Sequence, residues 1–310
     1  MATPKQSAAV ETKFTGGHRA CAGCGFPIAI KQVLSSCKDP VVVVNATGCM
    51  EVTSTIFPFS AWKVPFLHNA FENSAATCSG VEGAYQSLKK QGKIDKNIKF
   101  VAFGGDGGTY DIGLQSLSGA MERGHDMLYV CYNNEAYMNT GVQRSSATPR
   151  AAQTTTAPVG KVVVGKIQFP KDLTEIMVAH NIAYVAQTSI GFWPDSTKKF
   201  EKAFSITGPK FVNIYSPCVL GWAYDTSKTV KIAKMAADTC MWPHYEVENG
   251  KYKITYKPQT KLPVEEYFKM QSRFKHLLAP ANKPILDEIQ KHVDEQWARL
   301  QMKEECTNKA

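Results

Sequence analysis

The sequence has 310 residues, 44% hydrophobic and 20% charged, and a chain of this composition and length buries a core without disulfide or metal staples. Its net charge of +9 comes without an Arg-rich tract or an aromatic-interleaved basic block, which argues against a nucleic-acid partner. No apolar run reaches the roughly 18 residues that cross a bilayer, and the opening MATPKQSAAVETK lacks a leader pattern. We therefore expect a cytoplasmic protein without a membrane partner, whose nine cysteines serve metal binding or catalysis rather than disulfides.

Short β-rich runs alternate with helical runs over most of the chain. The predicted strands lie at residues 41–45, 63–68, 99–103, 127–133, 183–185 and 211–215. The predicted helices lie at residues 27–34, 73–90, 111–123, 172–180, 196–205 and 229–236. This alternation, with continuous apolar runs such as VVVV, predicts an α/β fold with a mostly parallel sheet and helices on both faces.

Two later segments depart from this alternation. Residues 139–164 are rich in Thr, Ala, Ser and Gly and predict a long surface loop, and such loops in compact domains are usually functional. Asn249-Gly250 predicts a hairpin between 245–247 and 251–256, and a polar helix at 284–302 precedes a frayed tail. We predict one domain over residues 1–240 and a C-terminal extension over 241–310 that contacts other subunits.

The segment FGGDGGTYDIG follows a predicted strand and opens a helix. Gly105 and Gly107 let the backbone approach a phosphate, and the helix N-terminus behind them favours negative charge. Asp106 offers a carboxylate oxygen to Mg²⁺, and Asn133-Asn134 ends the next strand at the same edge of the sheet. A GDG turn alone is weak evidence, and the alternative is a turn beside an Asn-capped loop. Together the two features indicate a thiamine diphosphate motif.

Four cysteines lie where their thiols can meet at one edge of the sheet. Cys21 and Cys24 form a C-x-x-C, whereas Cys49 and Cys218 each follow a predicted strand. Four thiolates suit zinc or an iron–sulfur cluster, and their spacing does not choose between them. A redox-active Cys21–Cys24 pair is a further alternative. The other five are predicted to be core or structural thiols or, for the last, a tail residue: Cys37, Cys78, Cys131, Cys240 and Cys306.

Six ordered segments resemble the beta subunits of the 2-oxoacid:ferredoxin oxidoreductase family, the pyruvate enzymes above all. They are GHRACAGCG, NATGC, HNAFENSAA, GGDGGTYDIG, YNNEAYMNTGVQRSSATP and PVEEYFKMQSRFKHL, spread over residues 17–278. The resemblance implies a thiamine-diphosphate-binding fold of the pyrophosphate-module type. It also implies one 4Fe-4S cluster on Cys21, Cys24, Cys49 and Cys218. By the same resemblance, Mg²⁺ is held by Asp106, the Asn134 side chain and the Ala136 carbonyl.

The family's chemistry is the reversible, thiamine-diphosphate-dependent oxidative decarboxylation of pyruvate to acetyl-CoA and CO₂. Electrons leave singly through the cluster to ferredoxin or flavodoxin. The resemblance further implies a separate alpha subunit, which supplies the activating glutamate and much of the substrate pocket, and other subunits with additional 4Fe-4S clusters. The beta chain alone should be inactive. Oxalate, 2-oxoglutarate and branched-chain or aryl 2-oxoacids remain alternative substrates.

The resemblance extends to individual residues around the cofactor. Asn139 resembles the residue that contacts the substrate and is the predicted catalytic residue, although an Asn capping a loop is the alternative. Thr47, Gly48 and Cys49 are expected near the cofactor ring, and Thr140 among the cofactor-binding residues.

Three other positions are assigned no catalytic role. His68 and Glu72 are expected to be structural. Phe26 follows C-x-x-C-G where many relatives carry an acidic residue, which removes any polar contact from that position to the cofactor.

Two other classes of function compete with the redox enzyme. A thiamine enzyme without redox chemistry would explain GDG and Asn-Asn, but it gives the cysteines no joint purpose. A zinc-stabilised interaction protein would explain the cysteines and leave GDGGTYDIG without a role.

Overall fold

Eight strands form one sheet in the computed structural model of the chain, which describes residues 11–309. The first ten residues, most of the segment without a leader pattern, lie outside the described part, as does Ala310. The strands are β1 (Val41–Ala46), β2 (Phe66–Asn69), β3 (Lys99–Gly105), β4 (Leu128–Asn133), β5 (Tyr184–Ser189), β6 (Lys210–Tyr215), β7 (Tyr245–Glu248) and β8 (Lys251–Ile254). Their order is β2-β1-β3-β4-β6-β5-β7-β8. Strands β1 to β6 are parallel, β7 pairs antiparallel with β5, and β8 pairs antiparallel with β7.

Helices cover both faces of this sheet. The α-helices are α1 (Phe26–Ser35), α2 (Cys49–Ser54), α3 (Ser74–Lys90), α4 (Leu114–Glu122), α5 (Leu173–Val178), α6 (Trp193–Ser205), α7 (Val219–Trp222), α8 (Thr229–Asp238), α9 (Val264–Phe268) and α10 (Lys283–Asn308). Val43 belongs to the core packed against α1 and α6, and its neighbour Val44 to the core packed against α3 and α4. Two buried faces explain the continuous apolar strands. No helix within residues 11–309 has the length and apolar character to cross a bilayer.

The parallel arrangement brings four chain segments to one edge of the sheet. β1 and β3 pair so that Asn45 lies opposite Phe103, and β3 and β4 pair Gly105 with Tyr132. β4 and β6 end together, with Asn133 opposite Tyr215. The turns after these strands therefore meet at their carboxyl ends, where parallel α/β sheets bind ligands.

The predicted fold class is confirmed, and most predicted elements agree within a few residues. The strand predicted at 63–68 begins only at Phe66, because Pro65 has no amide hydrogen to donate to the ladder. The helix predicted at 111–123 is divided into a π-helical turn, Gly107–Ile112, and α4. Helix α6 begins three residues before its predicted start, at Trp193, with Pro194 in the first turn.

The C-terminal hairpin forms as predicted and extends the main sheet. Asn249 and Gly250 have φ angles of 48° and 78°, the left-handed values that a two-residue hairpin turn requires. Strand β7 pairs with β5. The proposed boundary at residue 240 stays a prediction.

The predicted frayed tail after residue 302 is wrong, because α10 continues to Asn308 against the edge of the sheet. The Tyr252 amide of β8 donates to Thr307 Oγ1 at 3.0 Å, and the Ile254 amide donates to Glu304 Oε1 at 2.6 Å. These bonds satisfy donors that an edge strand otherwise leaves free. Cys306 is accordingly an exposed residue of a helix rather than of a tail.

A buried lysine of α6 joins three segments of the fold. Lys199 Nζ donates at 2.8 Å to Asp195 Oδ2, to the Gln187 carbonyl of β5 and to Thr255 Oγ1. We expect Lys199→Met to lower the free energy of unfolding by roughly 3–5 kcal/mol, because Asp195 would keep a largely buried charge after losing its lysine partner, with Thr188 and His244 as remaining contacts. Chemical denaturation would measure this loss. Lys198→Met, at the exposed neighbouring position, is the control and should change stability by less than about 0.5 kcal/mol.

Candidate functional site

Nine of the predicted site residues line one narrow pocket at the carboxyl ends of β1, β3 and β4. The predicted ones are Thr47, Gly48, Cys49, Gly105, Asp106, Gly107, Asn134, Ala136 and Asn139. Sequence reasoning missed the others: Phe71, Gly108, Tyr132, Tyr137 and Met138. Thr140, Cys21, Cys24 and Cys218 lie outside this lining.

Asp106 stands at the floor of the pocket, directly after β3. It is 1% exposed, and its Oδ2 accepts a hydrogen bond from Ser145 Oγ at 2.5 Å. Its Oδ1 accepts one from the Asn134 amide at 3.3 Å. Burial raises the pKa of Asp106 to about 7, although these two hydrogen bonds oppose the rise. A carboxylate held in this way is costly without a positive partner.

Two further oxygen-bearing groups converge beside the Asp106 carboxylate. The Asn134 side-chain amide faces both Asp106 Oδ1 and the Ala136 carbonyl oxygen, at 2.9 Å from each when its nitrogen donates to them. The same amide turned over would present its oxygen beside these two. A carboxylate, an amide oxygen and a backbone carbonyl are the hard donors that Mg²⁺ takes. The donor chemistry of this cluster therefore fits the predicted metal.

Glycines allow two tyrosine rings to close around the pocket. A Cβ at Gly107 would lie 2.4 Å from the ring of Tyr137, and one at Gly48 would lie 2.6 Å from Tyr132 Oη. No side chain fits at such distances. Glycine at these two positions therefore lets the tyrosine rings pack directly on the backbone. The phosphate contact expected at Gly107 and the cofactor-ring contact expected at Gly48 stay predictions.

Asn139 and Thr140 lie on the exposed rim. Thr140 Oγ1 donates to Gln143 Oε1 at 2.6 Å, which closes a turn outside the pocket lining. The structure thus brings Asn139, but not Thr140, into the pocket lining. Residues 139–164 contain isolated bridges but no helix or strand, as predicted. The prediction of a surface loop is wrong for the middle of the segment, where Ser145, Thr148 and Ala152 are buried.

The Thr47 hydroxyl connects the pocket to β2. It donates to the Asn69 carbonyl at 2.8 Å and lies 2.7 Å from His68 Nε2. Since its single hydrogen goes to the carbonyl, it accepts from the protonated Nε2 of His68. Glu51 Oε2 lies 3.6 Å from the same ring nitrogen. His68 therefore supports Thr47, which agrees with a structural role for the histidine.

The loop with Cys21 and Cys24 packs against the segment that follows β6. The Cys24 amide donates to the Cys21 carbonyl at 3.0 Å and closes the turn. Gly23, at φ 72°, leaves no room for a side chain, because a Cβ would lie 2.3 Å from the Thr226 carbonyl oxygen. A Cβ at Gly25 would lie 2.7 Å from Ser216 Oγ. The C-x-x-C loop is thereby held against the strand end that carries the fourth predicted cysteine.

Cys49 and Cys218 reach the same edge from β1 and β6. Cys49 opens α2 and lines the pocket. Cys218 caps α7, and its Sγ accepts from the Gly221 amide at 3.4 Å. A Cβ at Gly221 would lie 2.3 Å from Met138 Sδ, so this pocket-lining methionine packs directly on α7. The cysteine region and the pocket are thus adjacent.

Electrostatics also place the four thiols in one neighbourhood. Burial raises the pKa of Cys24 to about 12, and Cys218, Cys49 and Cys21 add to the rise. Burial likewise raises the pKa of Cys49 to about 12. Such thiols are protonated at neutral pH and ionise when they bind a metal. Across residues 11–309, however, no three His, Cys, Asp or Glu side chains are close enough together to hold an ion.

The remaining cysteines and Phe26 are mostly packing residues. Cys37, Cys78, Cys131 and Cys240 are buried. Phe26 is 3% exposed in the first turn of α1, and its ring lies 6.4 Å from that of Tyr132. Phe26 thus packs against Tyr132, one of the residues that line the pocket.

Comparisons with known proteins identify the family of the chain. The family model described as thiamine pyrophosphate enzyme, C-terminal TPP binding domain, matches residues 46–214. Pyruvate synthase subunit PorB of Thermotoga maritima is 54% identical over 304 residues, with 96% of this chain and 94% of that protein covered. The subunit of the same name from Methanocaldococcus jannaschii is 51% identical, with coverages of 94% and 97%. Ketoisovalerate oxidoreductase subunit VorB of Pyrococcus abyssi is 42% identical, with coverages of 94% and 93%.

A solved structure agrees with the fold. The 2-oxoglutarate:ferredoxin oxidoreductase from Magnetococcus marinus matches with a TM-score of 0.54 at 20% identity, covering 71% of this chain and 79% of that one. The resemblance seen in the motifs is therefore confirmed along nearly the whole chain. The chain belongs to the thiamine-diphosphate-dependent 2-oxoacid:ferredoxin oxidoreductases, as a beta subunit of the pyruvate synthase PorB type.

Proposed function

We propose that this chain is the cofactor-binding subunit of a cytoplasmic pyruvate:ferredoxin oxidoreductase, which converts pyruvate and coenzyme A reversibly to acetyl-CoA and CO₂. The observation that carries the proposal is the pocket in which Asp106, Asn134 and Ala136 meet beside Cys49. Relatives of this length and identity are pyruvate synthase subunits. When bound, thiamine diphosphate supplies the carbon chemistry of the decarboxylation.

Asp106, Asn134 and Ala136 hold Mg²⁺ in this proposal, and the backbone at Gly105–Gly107 receives the diphosphate. Their oxygens supply only some of the ligands that an octahedral Mg²⁺ needs, which leaves positions for phosphate oxygens and water. The buried charge of Asp106 is then offset by the cation. Thr47 and Gly48 border the remaining space, with Asn139 on the rim where the substrate would enter.

Cys21, Cys24, Cys49 and Cys218 hold one 4Fe-4S cluster in this proposal. Support comes from their shared neighbourhood and from the contact of Met138 with α7, which joins the cysteine region to the pocket. A one-electron acceptor must lie near the reacting centre, and a cluster at this place meets that need. The thiols must move to close around it, since they are not gathered into a ligand set within residues 11–309.

Other subunits complete the enzyme in this proposal. An alpha subunit supplies the activating glutamate and part of the substrate pocket, and cluster-bearing subunits pass electrons to ferredoxin or flavodoxin. The exposed position of Asn139 at the rim leaves room for an opposing subunit. Pyruvate is the proposed substrate because relatives at 54% and 51% identity are named pyruvate synthase subunits, whereas the ketoisovalerate relative, at 42% identity, keeps a branched-chain substrate as the alternative.

An anaerobic preparation of the complete complex tests the proposal by electron paramagnetic resonance. Pyruvate should produce an organic radical or a reduced-cluster signal, and coenzyme A should change it. Clusters that stay silent with pyruvate but respond to 2-oxoisovalerate would move the substrate to the branched-chain acids. A complex that contains thiamine diphosphate but no iron would overturn the redox assignment.

A further inference from the structure

The turn that presents the proposed Mg²⁺ ligands has an unusual backbone. Glu135, between Asn134 and Ala136, has a φ of 64°, a left-handed value that costs a residue with a side chain roughly 1 kcal/mol or more. Because the chain reverses there, the side-chain amide of Asn134 lies 2.9 Å from the Ala136 carbonyl oxygen. The convergence of the two oxygen donors therefore depends on Glu135 keeping this conformation.

Hydrogen bonds hold the Glu135 peptide from two sides. Its amide donates to Asn133 Oδ1 at 2.9 Å, and its carbonyl accepts from Thr148 Oγ1 at 2.6 Å. Its side chain turns away from the pocket lining and forms an ion pair with Arg273, where the two side chains are 6% and 4% exposed. A buried ion pair adds little stability over well-packed apolar residues of the same size. Here the pair fixes where the Glu135 side chain lies, because its carboxylate is bound to a guanidinium that is itself buried.

Arg273 contacts the same turn a second time through Trp222. Its guanidinium carbon lies 3.9 Å from the centre of the Trp222 ring, and Trp222 Nε1 donates to the Asn134 carbonyl at 2.9 Å. Arg273 Nε in turn donates to Gln271 Oε1 at 2.7 Å. One guanidinium thus contacts both the Glu135 side chain and the Trp222 ring that bonds to the Asn134 carbonyl.

We propose that Arg273 is a positioning residue, which fixes the turn at Asn134–Ala136 in its metal-binding conformation through Glu135 and Trp222. The C-terminal segment, far from the GDG motif in sequence, is therefore part of the cofactor site. Arg273 touches neither the pocket lining nor the proposed metal ligands' oxygen atoms. The inference depends on the proposed Mg²⁺ and thiamine diphosphate site.

The test measures how Mg²⁺ supports thiamine diphosphate binding in the complete complex, by titrating Mg²⁺ at fixed cofactor concentration and following binding by fluorescence. Arg273→Met should raise the Mg²⁺ concentration needed for half-saturation at least tenfold. The double variant Glu135→Gln, Arg273→Met leaves no unpaired buried charge, so it should regain a melting temperature near that of the wild type while its Mg²⁺ requirement stays raised. If the single variant fails to fold, the Mg²⁺ requirement of the double variant alone tests the proposal.

Lys210→Met is the matched control. It breaks another ion pair, between the buried Lys210 at the start of β6 and the partly exposed Asp126, at the end of the strands opposite to the pocket. It should lower the melting temperature without changing the Mg²⁺ requirement. If the double variant Glu135→Gln, Arg273→Met kept the wild-type Mg²⁺ dependence, the positioning role of Arg273 would be overturned. A wild-type complex that binds no thiamine diphosphate at any Mg²⁺ concentration would instead overturn the proposed function itself.

Discussion

Asp106→Asn is expected to abolish retention of thiamine diphosphate by the purified complex. The carboxylate is the only charged group among the three proposed Mg²⁺ ligands, and an amide in its place offers the cation one neutral oxygen. Activity should fall by more than the roughly 10–100-fold that loss of an outer-shell partner costs a metal site. Thiamine content after gel filtration and turnover of pyruvate would measure both effects.

The fold should survive this substitution. Asp106 is fully buried, and its charge is unfavourable there without a cation. In the cofactor-free complex, Asp106→Asn should therefore melt no lower than the wild type. A variant that retained wild-type thiamine content would contradict the metal assignment.

Asp111→Asn provides the control for Asp106. Asp111 accepts from the Ser146 amide at 2.9 Å, much as Asp106 bonds to the neighbouring Ser145, but it lies outside the pocket lining. Its replacement removes a carboxylate of the same motif with similar partners. Thiamine retention should remain close to that of the wild type. Equal losses in both variants would point to a general role of the motif in folding.

Much of the sheet and of the site could be predicted because the relevant signals are local. Continuous apolar runs locate β1, β3 and β4, since both faces of the sheet are covered. The polar residues Asp106 and Asn134 directly follow two of these strands, and parallel strands bring their ends to one edge. The turn at Asn249-Gly250 is equally local, because few other residues accept its φ angles.

Long-range contacts account for most of what the sequence did not reveal. Ser145 bonds to Asp106 from 39 residues away, and Arg273 pairs with Glu135 across 138 residues. Nothing in the spacing of these residues indicates either contact. The end of α10 was missed for the same reason, since its bonds to β8 bridge some 50 residues. Pattern rules describe neighbours along one element, whereas these pairs depend on how elements pack.

The second large effect is expected for Cys24→Ala, which should remove nearly all iron from the beta subunit. A cluster that loses one of its four thiolate ligands is expected to dissociate from the protein. Pyruvate-dependent reduction of a one-electron acceptor should then stop. Cys24 lies outside the pocket lining, so the variant should still bind thiamine diphosphate. Iron, acid-labile sulfide, zinc and thiamine analyses of one anaerobic preparation would separate these outcomes.

Cys78→Ala is the control for this prediction. Cys78 is fully buried in the core between the sheet, α3 and α4, away from the four proposed ligands. Its truncation should cost roughly 1 kcal/mol of stability and leave the iron content unchanged. If Cys24→Ala kept its iron, the cluster would have to be bound by other residues. If the wild type held zinc in place of iron, the cysteines would have a structural purpose and the chain would lack its own electron acceptor. Loss of iron from Cys24→Ala alone, with thiamine retained, would separate the cysteine region from the neighbouring thiamine pocket as two sites with different cofactors.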